Sequence, residues 1–170
     1  METILGLLLI LLPAIFKLVE KKLKASGKTE AAFFPILTLL EQHPSVSVGV
    51  LYIGPLKALI NDQFQRLDEL LADSDIPVWP WHGDVSQSVK ARIRRKKQGI
   101  VQITPESLES LLMRSPKDVT SLFSDLRFVV IDEIHALMGQ DRGLQLLCLL
   151  SRLEKLTGCA PRRIGLSATL

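Results

Sequence analysis

Short apolar runs alternate with amphipathic stretches from residue 29 to residue 166, and this rhythm constrains the fold more than any other feature of the chain. Val46–Ile53 (VSVGVLYI), Ile76–Trp81, Ile100–Ile103, Phe128–Ile131 and Arg163–Leu166 are short and apolar, with turn-forming residues at their borders, and read as strands. Between them, apolar residues recur three and four apart, as on one face of a helix. Thr29–Glu41, with Ala32, Phe33, Ile36, Leu37 and Leu40, is the first such segment, and Pro35 is expected in its opening turns, where proline is tolerated. Lys57–Ala72, Ser86–Lys97, Pro105–Met113 and Leu144–Leu156 follow. Strands alternating with helices of this length predict an α/β fold, a mainly parallel sheet covered by helices on both faces. A chain of 170 residues suits one such domain, and it carries no internal repeat or low-complexity linker.

Composition removes several classes. With 47% hydrophobic and 23% charged residues the chain is neither disordered, collagen-like nor a disulfide scaffold. A net charge of +3 is too mild to announce nucleic-acid binding, so such a reading must rest on where the charges sit. Cys148 and Cys159 lack metal-ligand spacing and read as reduced packing residues of a cytoplasmic protein.

Residues 1–24 depart from the rhythm. Ile4–Phe16 is apolar, shorter than the roughly 20 residues that span a bilayer, and interrupted by Pro13. The basic residues follow it instead of preceding it, unlike a secretory signal. Two readings stay open: a buried segment, or a membrane-surface anchor with Lys17, Lys21, Lys22 and Lys24 at the headgroups.

Three short segments carry chemistry. Ala25-Ser26-Gly27-Lys28-Thr29 opens a helix. There glycine lets backbone N–H groups curl round phosphates, lysine reaches the outer phosphates, and the threonine hydroxyl suits Mg²⁺. The tripeptide alone is a weak signal, and the place of the pattern's first glycine is taken by Lys22. Asp132 and Glu133 follow the most apolar strand, at the end where parallel sheets place ligands. They read either as a solvated acidic turn or as a Mg²⁺ partner (Asp132) beside a residue that polarises water (Glu133). Ser167-Ala168-Thr169 follows the last strand and by itself says only that two hydroxyls cap a turn. Lys90–Lys97 (KARIRRKK) holds six basic residues in eight, either a solvated helix face or a source of phosphate contacts that read no sequence. Trp79 and Trp81 read as buried beside their strand sooner than as base-stacking platforms. His43 reads as solvent-facing and His82 as structural.

Taken in order, GKT, DEIH and SAT resemble motifs I, II and III of superfamily-two helicases. Gly54-Pro55-Leu56-Lys57-Ala58-Leu59 resembles motif Ia, and Ile103-Thr104-Pro105-Glu106-Ser107-Leu108 resembles motif Ib. The strings WHGD, TPESLE, VVIDEIHAL and RRIGLSATL are most similar to the large helicase-related branch of the DEAD/DEAH-type helicases. The resemblance implies that residues 25–170 form the first RecA-like, ATP-binding domain of a P-loop fold. It implies ATP and Mg²⁺ as cofactors, with Ala25, Ser26, Gly27, Lys28 and Thr29 around the triphosphate, Thr29 and Asp132 at the metal, and Asp132 and Glu133 in catalysis. His135, Ser167 and Thr169 would link the nucleotide to strand movement, His135 touching motif III instead of a metal. Pro55, Leu56, Lys57, Gly83, Asp84, Thr104, Pro105 and Glu106 would line the path of a DNA or RNA strand.

The apolar strand that leads into motif I in that family is replaced here by VEKKLK, and neither a second RecA-like domain nor the motif VI arginine follows Ser167-Ala168-Thr169. The expectation is a helicase core that binds Mg·ATP and a strand without unwinding alone, a partner chain supplying any second domain. A non-catalytic module of the same fold, binding nucleic acid or a partner, is the alternative; a small P-loop kinase or GTPase has no need of the TPES and SAT segments.

Overall fold

The computed structural model of the chain describes residues 28–55, 57–72, 74–136 and 141–167. The chain divides into two compact units, Met1–Phe34 and Pro35–Leu170, and the sheet lies in the second. In chain order the elements are α1 (Lys28–Gln42), β1 (Val48–Ile53), α2 (Lys57–Leu70), β2 (Val78–Trp81), α3 (Gln87–Lys96) and β3 (Gly99–Ile103). Then come α4 (Pro105–Arg114), α5 (Pro116–Leu122), β4 (Phe128–Ile131), a 3₁₀ turn (Ile134–Ala136), α6 (Asp141–Thr157) and β5 (Arg162–Gly165). The five strands form one sheet in the order β2-β3-β1-β4-β5, with every neighbouring pair parallel.

The central strands β3, β1 and β4 are buried on both faces, as the interior of a parallel sheet is, while the edge strand β5 stays largely exposed. One face presents Leu51, Ile53, Val101, Ile103, Val129 and Ile131 to Leu108, Leu112, Val119, Phe123, Leu146 and Leu150 of the segment from α4 to α6, in a single apolar cluster. Val50, Tyr52, Ile100, Gln102 and Val130 occupy the alternate positions and are also buried. A bulge at Gly49 changes the alternation, so Val48 and Leu51 share one face. A side chain at Gly49 would meet Leu40 at 2.8 Å, which ties α1 closely to β1.

Local chemistry sets the helix ends. Ser86 caps α3 by accepting from the Val89 N–H, and Lys97 closes it in the left-handed region at φ 50°, its N–H bonded to the Ile93 carbonyl. Gly99 then has φ +87°, and a Cβ there would lie 2.0 Å from the Pro77 carbonyl oxygen. Only glycine fits that approach, which lets Pro77 O accept from Ile100 N–H at 2.9 Å and align β2 with β3.

The strands and helices agree with the alternation in the sequence to within a few residues, with three differences. Pro35 stands in the middle of α1, because that helix begins at Lys28 and runs to Gln42. α5 was not expected. Cys148 is exposed on α6 and so does not pack, whereas Cys159 is half-buried against the core. Among the described residues no helix is long and apolar enough to cross a membrane, and no cluster of His, Cys, Asp and Glu could hold a metal by itself.

Candidate nucleotide and nucleic-acid site

Because the strands are parallel, the loops that leave their C-terminal ends share one edge. These loops carry Gly54-Pro55, His82-Gly83-Asp84, Thr104-Pro105-Glu106, Asp132-Glu133 and Leu166-Ser167. From β1 the chain crosses to the edge strand β2, returns inward through β3 and passes β1 to reach β4 and β5, so the connections leaving β1 and β4 run in opposite directions. Ligands of open α/β sheets bind at such a switch point. Main-chain bonds knit the edge: Gly54 N–H donates to Ile103 O at 3.1 Å, and Asp132 N–H to Ile53 O at 2.9 Å. Leu166 N–H donates to Ile131 O and Ile134 N–H to Leu166 O, both at 2.8 Å. Segments far apart in sequence are thereby fixed to one another.

Asp132 sits at the switch point, buried, directly after β4. Its Oδ1 accepts the Glu133 N–H at 2.9 Å, and its Oδ2 accepts the hydroxyl of Tyr52 from the middle of the neighbouring β1. Burial, together with the Asp132 carboxylate, pushes the Tyr52 phenol far above its ordinary range, so it stays a protonated donor. Glu133 is held at φ 49°, a left-handed conformation that costs a residue with a Cβ about 1–2 kcal/mol. Strain of this kind tends to collect at functional sites. Glu133 Oε2 is shielded from solvent and makes no hydrogen bond, and His135 Nδ1 stands 3.1 Å away at ion-pair distance. The same Nδ1 lies 3.2 Å from Ser167 Oγ, so the expected contact between the motif II histidine and motif III is present.

The Asp132 carboxylate suits a magnesium ion: it is a hard oxygen donor, and Mg²⁺ is commonly held by one or two carboxylates while water and phosphate complete its shell.

On the β1–β3 side of the edge, Thr104 caps α4 through the Ser107 N–H at 3.2 Å, with Pro105 as the first helical residue. Glu106 accepts from Arg142 at 2.6 Å, and the same guanidinium reaches Pro55 O at 3.4 Å, so α6 braces both motif Ia and motif Ib. Burial would raise the Glu106 carboxyl, but its own backbone N–H, Arg142 and Thr104 together hold it below the usual carboxylate range. Gly83 and Asp84 are exposed, and His82 is buried with Nδ1 4.0 Å from Asp84. Both tryptophans are buried, as expected, and each lies beneath an arginine: Arg92 is 5.4 Å from the Trp79 ring and Arg94 5.2 Å from that of Trp81. His43 is exposed.

Lys28 and Thr29 stand in the first turn of α1. Residues 1–24, Ala25, Ser26, Gly27, Leu56 and Thr169 lie outside the described residues, and Pro55 is buried. Two side chains of this edge were not singled out from the sequence, Tyr52 and Arg142. Tyr52 carried a signal, since a tyrosine inside a buried strand needs a partner for its hydroxyl.

Residues 19–170 match the DEAD/DEAH box helicase family. The chain belongs to that family. It is 38% identical over 161 residues to the ATP-dependent helicase Lhr-Core of Methanothermobacter thermautotrophicus, covering 85% of this chain and 18% of the relative. The chain also superposes on two solved structures. The DUF1998 helicase MrfA bound to DNA gives a TM-score of 0.75 at 30% identity, over 86% of this chain and 21% of that one. Mycobacterium smegmatis Lhr bound to ssDNA and AMP-PNP gives 0.69 at 31%, over 85% and 20%. The fold is therefore the RecA-like fold of helicase domains, and the chain spans about a fifth of the length of these proteins.

Proposed function

We propose that residues 25–170 are the first RecA-like domain of a nucleic-acid helicase, distinct from the segment 1–24, and that they bind Mg·ATP beside β4 and a DNA or RNA strand along the ends of β1, β2 and β3. The observation that carries this reading is the pair Asp132–Glu133, held at the switch point by Tyr52 on one side and by His135 and Ser167 on the other. The bound DNA in the MrfA structure and the ssDNA and AMP-PNP in the Lhr structure support it. In this reading Gly27 and its neighbours cradle the phosphates, Lys28 reaches the outer ones, and Thr29 and Asp132 hold the metal. When bound, Mg²⁺ offsets the charge that develops on the transferred phosphoryl group. Glu133 accepts a proton from the attacking water. His135 keeps that carboxylate in place and ties it through Ser167 to β5. The exposed Gly83 offers a backbone donor to the phosphates of a strand whatever its bases.

Titration of a fluorescent ATP analogue, with and without Mg²⁺, tests the nucleotide half. Mg²⁺-dependent binding is expected in the chain and in Glu133→Gln, and loss of at least tenfold in Lys28→Ala, the size of one charge-assisted contact of about 1.5–3 kcal/mol. Equal binding by all three proteins, or none by any, would overturn the assignment.

A further inference from the structure

Beyond the helicase motifs, a groove of about 220 Å³ runs between α3 and α4. Gln87, Lys90 and Arg94 line one wall, three and four residues apart on a single stripe of α3. Ser107, Ser110 and Arg114 line the other at the same spacing on α4, and Trp81, His82 and Gly83 line it too. No carboxylate is among the lining residues. Other arginines of the described residues are paired with acids: Arg127 with Asp125, Arg142 with Glu106 and Arg163 with Glu154. Arg94 pairs with Asp118 at 2.7 Å and lies over Trp81, which fixes its position. Lys90 and Arg114 have no ion-pair partner among the described residues. The groove thus concentrates cationic and hydroxyl donors, with nothing of opposite charge inside it, and it opens at Gly83 and Ser107, where the proposed strand path ends.

We infer that this groove binds the phosphodiester backbone of the same nucleic-acid strand, extending its track past motif Ib, with Lys90 and Arg114 as the contacting cations. The inference rests on the strand-binding reading above. Hydroxyls and cations without base-reading geometry give affinity without sequence preference. The rest of the basic run has a different office: Arg92 covers Trp79, and Arg95, Lys96 and Lys97 are exposed away from the groove.

Fluorescence anisotropy with labelled single-stranded oligonucleotides over a series of salt concentrations tests it. Lys90→Gln with Arg114→Gln removes two phosphate contacts. The slope of log K against log salt should fall in magnitude by about 1.4, and affinity should drop roughly 25-fold near 0.1 M salt, shrinking toward nothing near 1 M. Arg95→Gln with Lys96→Gln changes the net charge equally and is expected to lose no more than a few-fold. Circular dichroism checks that both double variants fold. If both lose affinity equally, the effect is general charge and the groove is not a site. Wild-type binding unchanged in the groove variant would overturn the groove and leave the strand reading standing, whereas no binding by the wild type would overturn both. Calorimetry with inorganic phosphate separates the other source of this chemistry. Saturable binding of phosphate that the groove variant loses, with strand affinity intact, would reassign the groove to a free anion.

Discussion

The hydroxyl of Tyr52 decides how the central acid of the site is presented. Tyr52 and Asp132 are 80 residues apart and meet only because β1 and β4 are paired in register, Tyr52 opposite Val130 and Ile53 opposite Ile131. Both are buried, so removing the donor leaves a carboxylate oxygen short of a partner in a place that water does not reach freely. Such an unmet acceptor costs about 1–3 kcal/mol, and more when it is charged. Tyr52→Phe is therefore expected to lower the unfolding free energy by about 2 kcal/mol, measured in urea, while leaving the shape of the strand unchanged. The variant should also bind the Mg²⁺-dependent ATP analogue with altered affinity, because Asp132 is freed to turn. Unchanged stability would mean that Asp132 finds another donor. Neither residue declares this contact in the sequence. Asp132 was legible there through the apolar strand before it and the glutamate after it; its orientation was not, because a partner 80 residues distant has no local signature.

Between elements, the loop entering β1 and the loop entering β4 are clasped by one acid. Asp125 Oδ2 accepts from Val46 N–H at 3.1 Å and from Arg127 at 2.9 Å, and Arg127 continues to the carbonyls of His43 and Pro44. Ser45 Oγ donates to Asp125 O, and Asp125 N–H donates to Ser47 Oγ. Arg127 above all, aided by the Val46 N–H and Ser45, holds the Asp125 carboxyl below its usual range. A lowered folded-state value means the clasp stabilises fully above the unfolded aspartate value near 3.9 and is lost as pH falls through the lower folded one. Asp125→Asn should cost about 1–2 kcal/mol at neutral pH, and urea titrations should show the gap to wild type closing below about pH 4. A gap constant down to acid pH would show that the carboxylate's charge plays no part. The strands and helices that this clasp joins were readable from alternation and from three-and-four spacing, because those periods are local. α5 was not, since seven residues opening Pro-Lys-Asp look like a loop until Val119 and Leu122 are seen against the core. The clasp, like the brace from Arg142 to Glu106 and Pro55, joins distant loops and left no mark in the sequence beyond its charges.

At the scale of the molecule, every loop described in the second unit to which a ligand contact is proposed lies on one edge of one sheet, and main-chain bonds tie those loops together. That arrangement is suited to binding and poor at work. Force on a strand requires two states that differ in geometry, and a ligand shifts such an equilibrium only by its differential affinity for the two. The edge from β2 to β5 offers a single packed arrangement, and coupling between sites needs an element with two. For the 170-residue chain, then, nucleotide and strand should bind nearly independently. Saturating single-stranded DNA should change the affinity for the ATP analogue less than about twofold, whereas typical allosteric couplings run 5–150-fold. A strand-displacement assay with ATP should show no unwinding above a no-enzyme control, even where anisotropy reports tight strand binding. Strong coupling or processive unwinding by these residues alone would mean that the His135–Ser167 link between β4 and β5 is itself a moving part, and that one RecA-like domain holds both of the states that unwinding requires.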